Sequence, residues 1–89
     1  MGFKIILTKK AAKDLEGLDR EEARRIVQKM IWLEKQTDPL TFAKRLRKPA
    51  TGDIRFRIGE YRLIALVNTS QKRIEVVQLG HRRDIYKTP

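Results

Sequence analysis

Arginines at positions 55, 57 and 62 are the residues whose type and spacing point most directly to chemistry. They flank Gly59-Glu60 in the run Asp53 to Val67, and a two-residue loop that starts with glycine suits a type II′ turn, whose twist matches the adjoining strands. Such a turn sets Ile58 opposite Tyr61, Arg57 opposite Arg62, Phe56 opposite Leu63, Arg55 opposite Ile64 and Ile54 opposite Ala65. Side chains alternate with period two, so Ile54, Phe56, Ile58, Tyr61, Leu63 and Ala65 share an apolar face, while Arg55, Arg57 and Arg62 share a cationic one. Like charges directly opposite each other destabilise an antiparallel pair, which makes sense of Arg57 against Arg62 mainly where an anion visits. The plainer alternative is a solvated face whose arginine stems lie over Ile64 and Leu66.

Two further groups of residues extend this chemistry. Lys44, Arg45, Arg47 and Lys48 surround Phe42 and Leu46 just before Pro49, and read either as a basic amphipathic turn that grips phosphates or as a solvated loop pinned by its two apolar residues. Gly80-His81-Arg82-Arg83-Asp84-Ile85-Tyr86 places the chain's one histidine, two arginines and an aromatic close together near its end. Trp32 reads as peripheral core or a surface for a protein partner rather than a platform for bases. The remaining chemistries have little support. With no cysteine and one histidine, only carboxylates are left to hold a metal, and those at 14, 16, 19, 21 and 22 fit helix-end and surface roles. The sole serine, Ser70, has no evident base, and neither Gly59 nor Gly80 belongs to a phosphate-cradling loop. No metal and no cofactor is expected.

Charge narrows the class of partner. Twenty-one Lys and Arg against 11 Asp and Glu give a net charge of +10 on 89 residues, a field that attracts polyanions, whether nucleic acid or an acidic protein. The length implies one domain, 1–89, and the absence of cysteine fits a reducing cytoplasm. The apolar runs are too short for a signal core or a membrane span, so a soluble cytoplasmic protein is expected.

These residues need a sheet and something to back it. Phe3 to Leu7 has strand propensity and ends at Thr8, a suitable N-cap for a helix carrying Ala11, Ala12, Leu15 and Leu18, with Gly17 as its terminator. Asp19 followed by Glu22 forms a capping-box pattern for a second helix, from Arg20 to about Gln36, whose stripe is Ala23, Ile26, Val27, Met30, Leu33 and Ile31. Pro39 stops that helix. The last strand, about Arg73 to Leu79, has apolar residues at 74, 76, 77 and 79, which breaks alternation and signals a bulge or burial on both faces. The expected fold is α+β, in the order β-α-α-β-β-β, with a helical hairpin packed on a mostly antiparallel four-stranded sheet.

A strand, two helices, the block Arg55-x-Arg57-Ile58-Gly59-Glu60-Tyr61-Arg62-Leu63 and the ending Gly-His-Arg-x-x-Ile-Tyr together resemble the RelE branch of the RelE/ParE toxin superfamily, over nearly the whole chain. The resemblance implies a type II toxin that enters the ribosomal A site and cleaves the exposed mRNA codon without a metal. It implies a RelB-like antitoxin as partner, and a toxin that is monomeric alone and in a larger complex with its antitoxin. By the same resemblance Arg62 corresponds to a phosphate-binding arginine, Arg82 to an arginine that stabilises the transition state or leaving group, and Tyr86 to a tyrosine that stacks on or orients the substrate. Arg55 and Asp53 fall on positions that are lysine in well-known members. A ParE-like inhibitor of DNA gyrase and an inactive nucleic-acid-binding member are the alternatives.

RNA cleavage requires the ribose 2′-OH to attack the adjacent phosphorus in line, with charge stabilised on the nonbridging oxygens and protons handled at both reacting oxygens. Guanidinium groups supply the charge stabilisation through a planar donor fork matched to phosphate. They are poor proton shuttles, because their pKa lies above about 12. Asp53 and His81 are the available bases; if neither serves, orientation imposed by the ribosome carries the rate, an effect worth roughly 7 kcal/mol or more.

Overall fold

The computed structural model describes residues 2–47 and 52–85, so Lys48 and Tyr86 lie outside the described residues. The elements run β1 (Lys4–Leu7), α1 (Lys9–Glu16), α2 (Arg20–Glu34), a 3-10 turn (Pro39–Phe42), β2 (Lys44–Arg45), β3 (Ile54–Ile58), β4 (Tyr61–Asn68), β5 (Arg73–His81) and α3 (Arg82–Ile85). The sheet has five strands in the order β1-β5-β4-β3-β2, with β1 parallel to β5 and every other pairing antiparallel. The α+β class is as the sequence implies, with one strand more than expected. That strand is β2, two residues in the stretch read as a basic turn, paired Lys44 to Arg55 and Arg45 to Ile54.

Helix ends follow local chemistry. Thr8 caps α1, its hydroxyl accepting from the Ala11 N–H at 3.2 Å, and Gly17 closes the helix in a right-handed conformation. Asp19 stands at the N-cap of α2, but its carboxylate makes no capping hydrogen bond, so the reciprocal capping box is not formed. Its charge still favours the helix N-terminus, together with Glu21 and Glu22 in the first turn. α2 ends at Glu34, about two residues short of the expected end, and buries only Ile26, Met30 and Leu33 of its apolar stripe. Val27 and Ile31 face solvent because the stripe is wider than the surface the sheet offers.

The core lies between α1, α2 and one face of the sheet. Ala11, Ile26, Met30 and Leu33 pack against Ile54, Phe56, Ile58, Leu63, Ala65, Ile74, Val76 and Leu79, all buried. Burying these side chains contributes roughly 1.5–3 kcal/mol for each large aliphatic or aromatic one.

The hairpin register is the one the two-residue turn dictates, from Ile58↔Tyr61 to Ile54↔Ala65. Gly59 has φ +60°, and Glu60 is not among the described residues with positive φ, which matches type II′ and not type I′. On the other side of β4, Ile64 pairs with Gln78 and Ala65 with Val76, so Val77 is the extra residue of a bulge in β5. α1 holds this bulge from both sides. The Thr8 N–H and hydroxyl both donate to the Val76 carbonyl, at 3.0 and 3.2 Å, and Asp14 Oδ2 accepts from the Leu79 N–H at 3.2 Å. The bulge explains the broken apolar pattern: Ile74 and Val76 face the helices before it, Leu79 and His81 after it.

Candidate functional site

Cross-strand partners project to the same face, so the register fixes which side chains share the surface away from the helices. Lys44, Arg55, Ile64 and Gln78 form one row across β2, β3, β4 and β5, and Arg57, Arg62 and Gly80 form the next row toward the turn. The three hairpin arginines therefore occupy a single face, and Lys44 joins them beside Arg55. Arg57 is exposed and Arg55 half-buried, whereas Arg62 is only 7% exposed.

Arg62 is the unusual member. Its Nη1 donates to the carbonyls of Tyr61 at 3.2 Å and Gly59 at 3.4 Å, while Nε is buried and has no hydrogen-bond partner among the described residues. None of the ion pairs among the described residues includes it. A buried cation without a counter-ion costs several kcal/mol in lost hydration, and a second cation directly across the strand pair adds to that cost. A bound anion offsets both.

Arg82 reaches the same end of the sheet from β5. Its backbone N–H donates to the Glu60 carbonyl at 2.8 Å, and its Nε lies 3.0 Å from Glu60 Oε2. The turn thus touches both arginines, Gly59 through its carbonyl to Arg62 and Glu60 through backbone and carboxylate to Arg82. Sequence reasoning missed Glu60 except as a turn residue. Its link to Arg82 depends on the pairing of Tyr61 with His81, which the bulge sets and residue spacing alone does not reveal.

The two candidate bases sit in structural roles. Asp53 Oδ2 accepts from the Val67 N–H at 2.9 Å, while its own N–H donates to Ala65 O and its carbonyl accepts from Leu46 N–H. His81 stands on the helix side, edge-on to Tyr61 with centroids 5.6 Å apart, and its Nδ1 accepts from the Arg83 N–H at 3.2 Å. The basic segment before the hairpin does not act as one group. Lys44 joins the arginine face; Arg45, paired with Ile54, points to the opposite face and shares a separate hollow with Arg47 and Asp53. Among the described residues no group of His, Cys, Asp and Glu could hold a metal ion, and no helix is long and apolar enough to cross a membrane.

A hairpin presenting paired arginines on a five-stranded sheet backed by two helices defines a class, and comparison with known proteins places the chain in it. Residues 5–86 match the sequence profile described as ParE toxin of type II toxin-antitoxin system, parDE. The chain belongs to the RelE/ParE superfamily and is a toxin of a type II toxin–antitoxin system. No curated protein sequence matches it. Among solved structures, the toxin–antitoxin complex RelBE2 from Mycobacterium tuberculosis is similar at TM-score 0.80 and 24% identity, over 92% of this chain and 100% of that one. The archaeal RelE–RelB complex from Pyrococcus horikoshii OT3 is similar at TM-score 0.71 and 29% identity, over 92% and 97%. The isolated E. coli RelE toxin has the same fold at TM-score 0.67 and 18% identity, over 97% and 93%.

Proposed function

We propose that this toxin is a metal-independent endoribonuclease that cleaves mRNA in the ribosomal A site and so inhibits translation. The observation that carries the reading is the buried Arg62 guanidinium, without a counter-ion among the described residues and set directly across from Arg57. The scissile phosphodiester is the anion that completes this arrangement. Arg57, exposed, meets the arriving phosphate, and Arg62 lies beneath it. In the reaction the 2′-oxygen forms a bond to phosphorus as the bond to the 5′-oxygen breaks, leaving a cyclic phosphate and a free 5′-hydroxyl. Arg62 and Arg57 stabilise the added charge on the nonbridging oxygens, and Arg82 faces the same developing charge once it parts from Glu60. Tyr86 follows α3 by one residue in the chain and takes the role its resemblance implies, ordering a base beside the cut. The 2′-proton and the proton gained by the 5′-oxygen are exchanged with solvent or ribosomal groups, under orientation set by the ribosome.

A RelB-like antitoxin is the proposed partner, consistent with the complexes described for the structures from M. tuberculosis and P. horikoshii. The second reading, inhibition of DNA gyrase, is favoured by the profile match to ParE toxins. A purified translation reaction separates the two. Primer extension should show new cuts within codons only when ribosomes are present, and Arg62→Ala and Arg82→Ala should each abolish the cuts and restore growth to expressing cells while leaving the fold intact. Intact message together with inhibited supercoiling would establish the gyrase reading instead.

A further inference from the structure

The arginine face does not end at the sheet. β2 pairs only with Ile54 and Arg55, so from Phe56 to Ile58 the outer edge of β3 has no strand beside it among the described residues. Beyond that edge lies a hollow lined by Arg25, Lys29, Trp32, Arg57 and Gly59, and its described lining contains no carboxylate. Arg57 belongs both to this hollow and to the arginine face, which makes the two surfaces continuous.

Trp32 brings a ring to the hollow, and Phe42, just outside its lining, packs against Trp32. Trp32 is 40% exposed and Phe42 is 51% exposed, and they meet edge-on with centroids 4.9 Å apart at 69°. Lys29 Nζ lies 4.0 Å from the Trp32 ring centroid. Two aromatic side chains serving only the core would be buried. Trp32 and Phe42 are part-exposed and held to each other, with Lys29 on the Trp32 ring, Arg57 in the same hollow, and Arg25 there too, 3.8 Å from the Glu22 carboxylate. Cations beside part-exposed rings match the two chemical parts of a nucleotide strand, a phosphate and an unpaired base, and every base offers a face for stacking.

We propose that this hollow, together with the Phe42 ring beside it, binds single-stranded RNA, with a base stacked on the Phe42–Trp32 pair and the backbone crossing Arg57 onto the arginine face. The proposal rests on the reading of the protein as an RNA-acting toxin and adds where the strand beyond the cut bond is held. An acidic peptide would satisfy the cations but leave the rings without a planar partner.

Trp32 is the only tryptophan in the chain, so its fluorescence reports on this surface alone. The full-length toxin is titrated with an oligouridylate of about 12 nucleotides, within the span of common single-strand sites, with inorganic polyphosphate and with an acidic peptide. The oligouridylate should quench Trp32 and polyphosphate should not, although both bind at low salt. Phe42→Leu, which keeps apolar bulk and loses the ring, should weaken RNA binding about 5- to 100-fold by anisotropy, and Phe42→Tyr should retain it. Equal quenching by polyphosphate, wild-type affinity in Phe42→Leu, or a response to the acidic peptide alone would overturn the proposal. Cleavage is scored separately: quenching without ribosome-dependent cuts would leave this surface standing and remove the nuclease reading, and cuts with a silent Trp32 would do the reverse.

Discussion

At the scale of single residues, the proposed reaction separates charge stabilisation from proton transfer. Arg55, Arg57 and Arg62 share a face because alternation puts them there, and that much is legible in the sequence. The near-complete burial of Arg62 is not legible, because it depends on what the fold lays over the strand. The same holds for Asp53 and His81. Their types suit a base, yet the structure shows the Asp53 carboxylate holding the Val67 N–H and the His81 ring against Tyr61. An asparagine at either position can accept the same backbone hydrogen bond, from Val67 or from Arg83, without being able to take a proton at neutral pH. Asp53→Asn and His81→Asn should therefore keep ribosome-dependent cleavage within a few-fold of wild type, His81→Asn losing about 1 kcal/mol of stability with the Tyr61 ring contact. A loss of cleavage by two orders of magnitude or more in one soluble, folded variant would identify that residue as the base.

At the scale of elements, the hairpin was readable because a glycine-led two-residue turn and strict alternation agree on one register, and the helices because their caps and periodicity do. β2 escaped sequence reading since two residues carry no periodicity, and the place of the bulge at Val77 is fixed by Thr8 and Asp14 far away in the chain. Ile64 escaped too: it lies on the arginine face yet is buried at 3% exposure. Gly52 accounts for this, because a Cβ there would stand 2.6 Å from Ile64 Cγ2 and 3.2 Å from the Ala65 carbonyl, and its φ of +153° disfavours any side chain. The backbone before β3 thus crosses directly over Ile64. Gly52→Ala should cost about 1–3 kcal/mol in denaturant unfolding, since a branched, buried side chain has little room to yield. Gly59 has φ +60° but nothing within 4 Å of its missing Cβ, so substitution there meets strain without a clash. Unchanged stability in Gly52→Ala would mean that the crossing over Ile64 is looser than this packing implies.

At the scale of the whole molecule, a charge of +10 on 89 residues ensures that any polyanion is attracted, and attraction alone says little about a site. The dependence on salt says more, because it counts the phosphates that displace bound counter-ions. Single strands release about 0.7 counter-ion per neutralised phosphate. Lys44, Arg55, Arg57 and Arg62 lie on adjoining rows of one face, so a strand crossing them should give a log–log slope of roughly −3 for affinity against salt. Arg57→Ala removes the exposed member through which the face continues past β3, and should flatten that slope by roughly 0.7. Replacing an exposed cation remote from this face, such as Lys9→Ala on α1, should weaken binding slightly through the general field and leave the slope unchanged. If both substitutions flatten it equally, the strand is held by diffuse charge, and the arginine face has no privileged place in binding RNA.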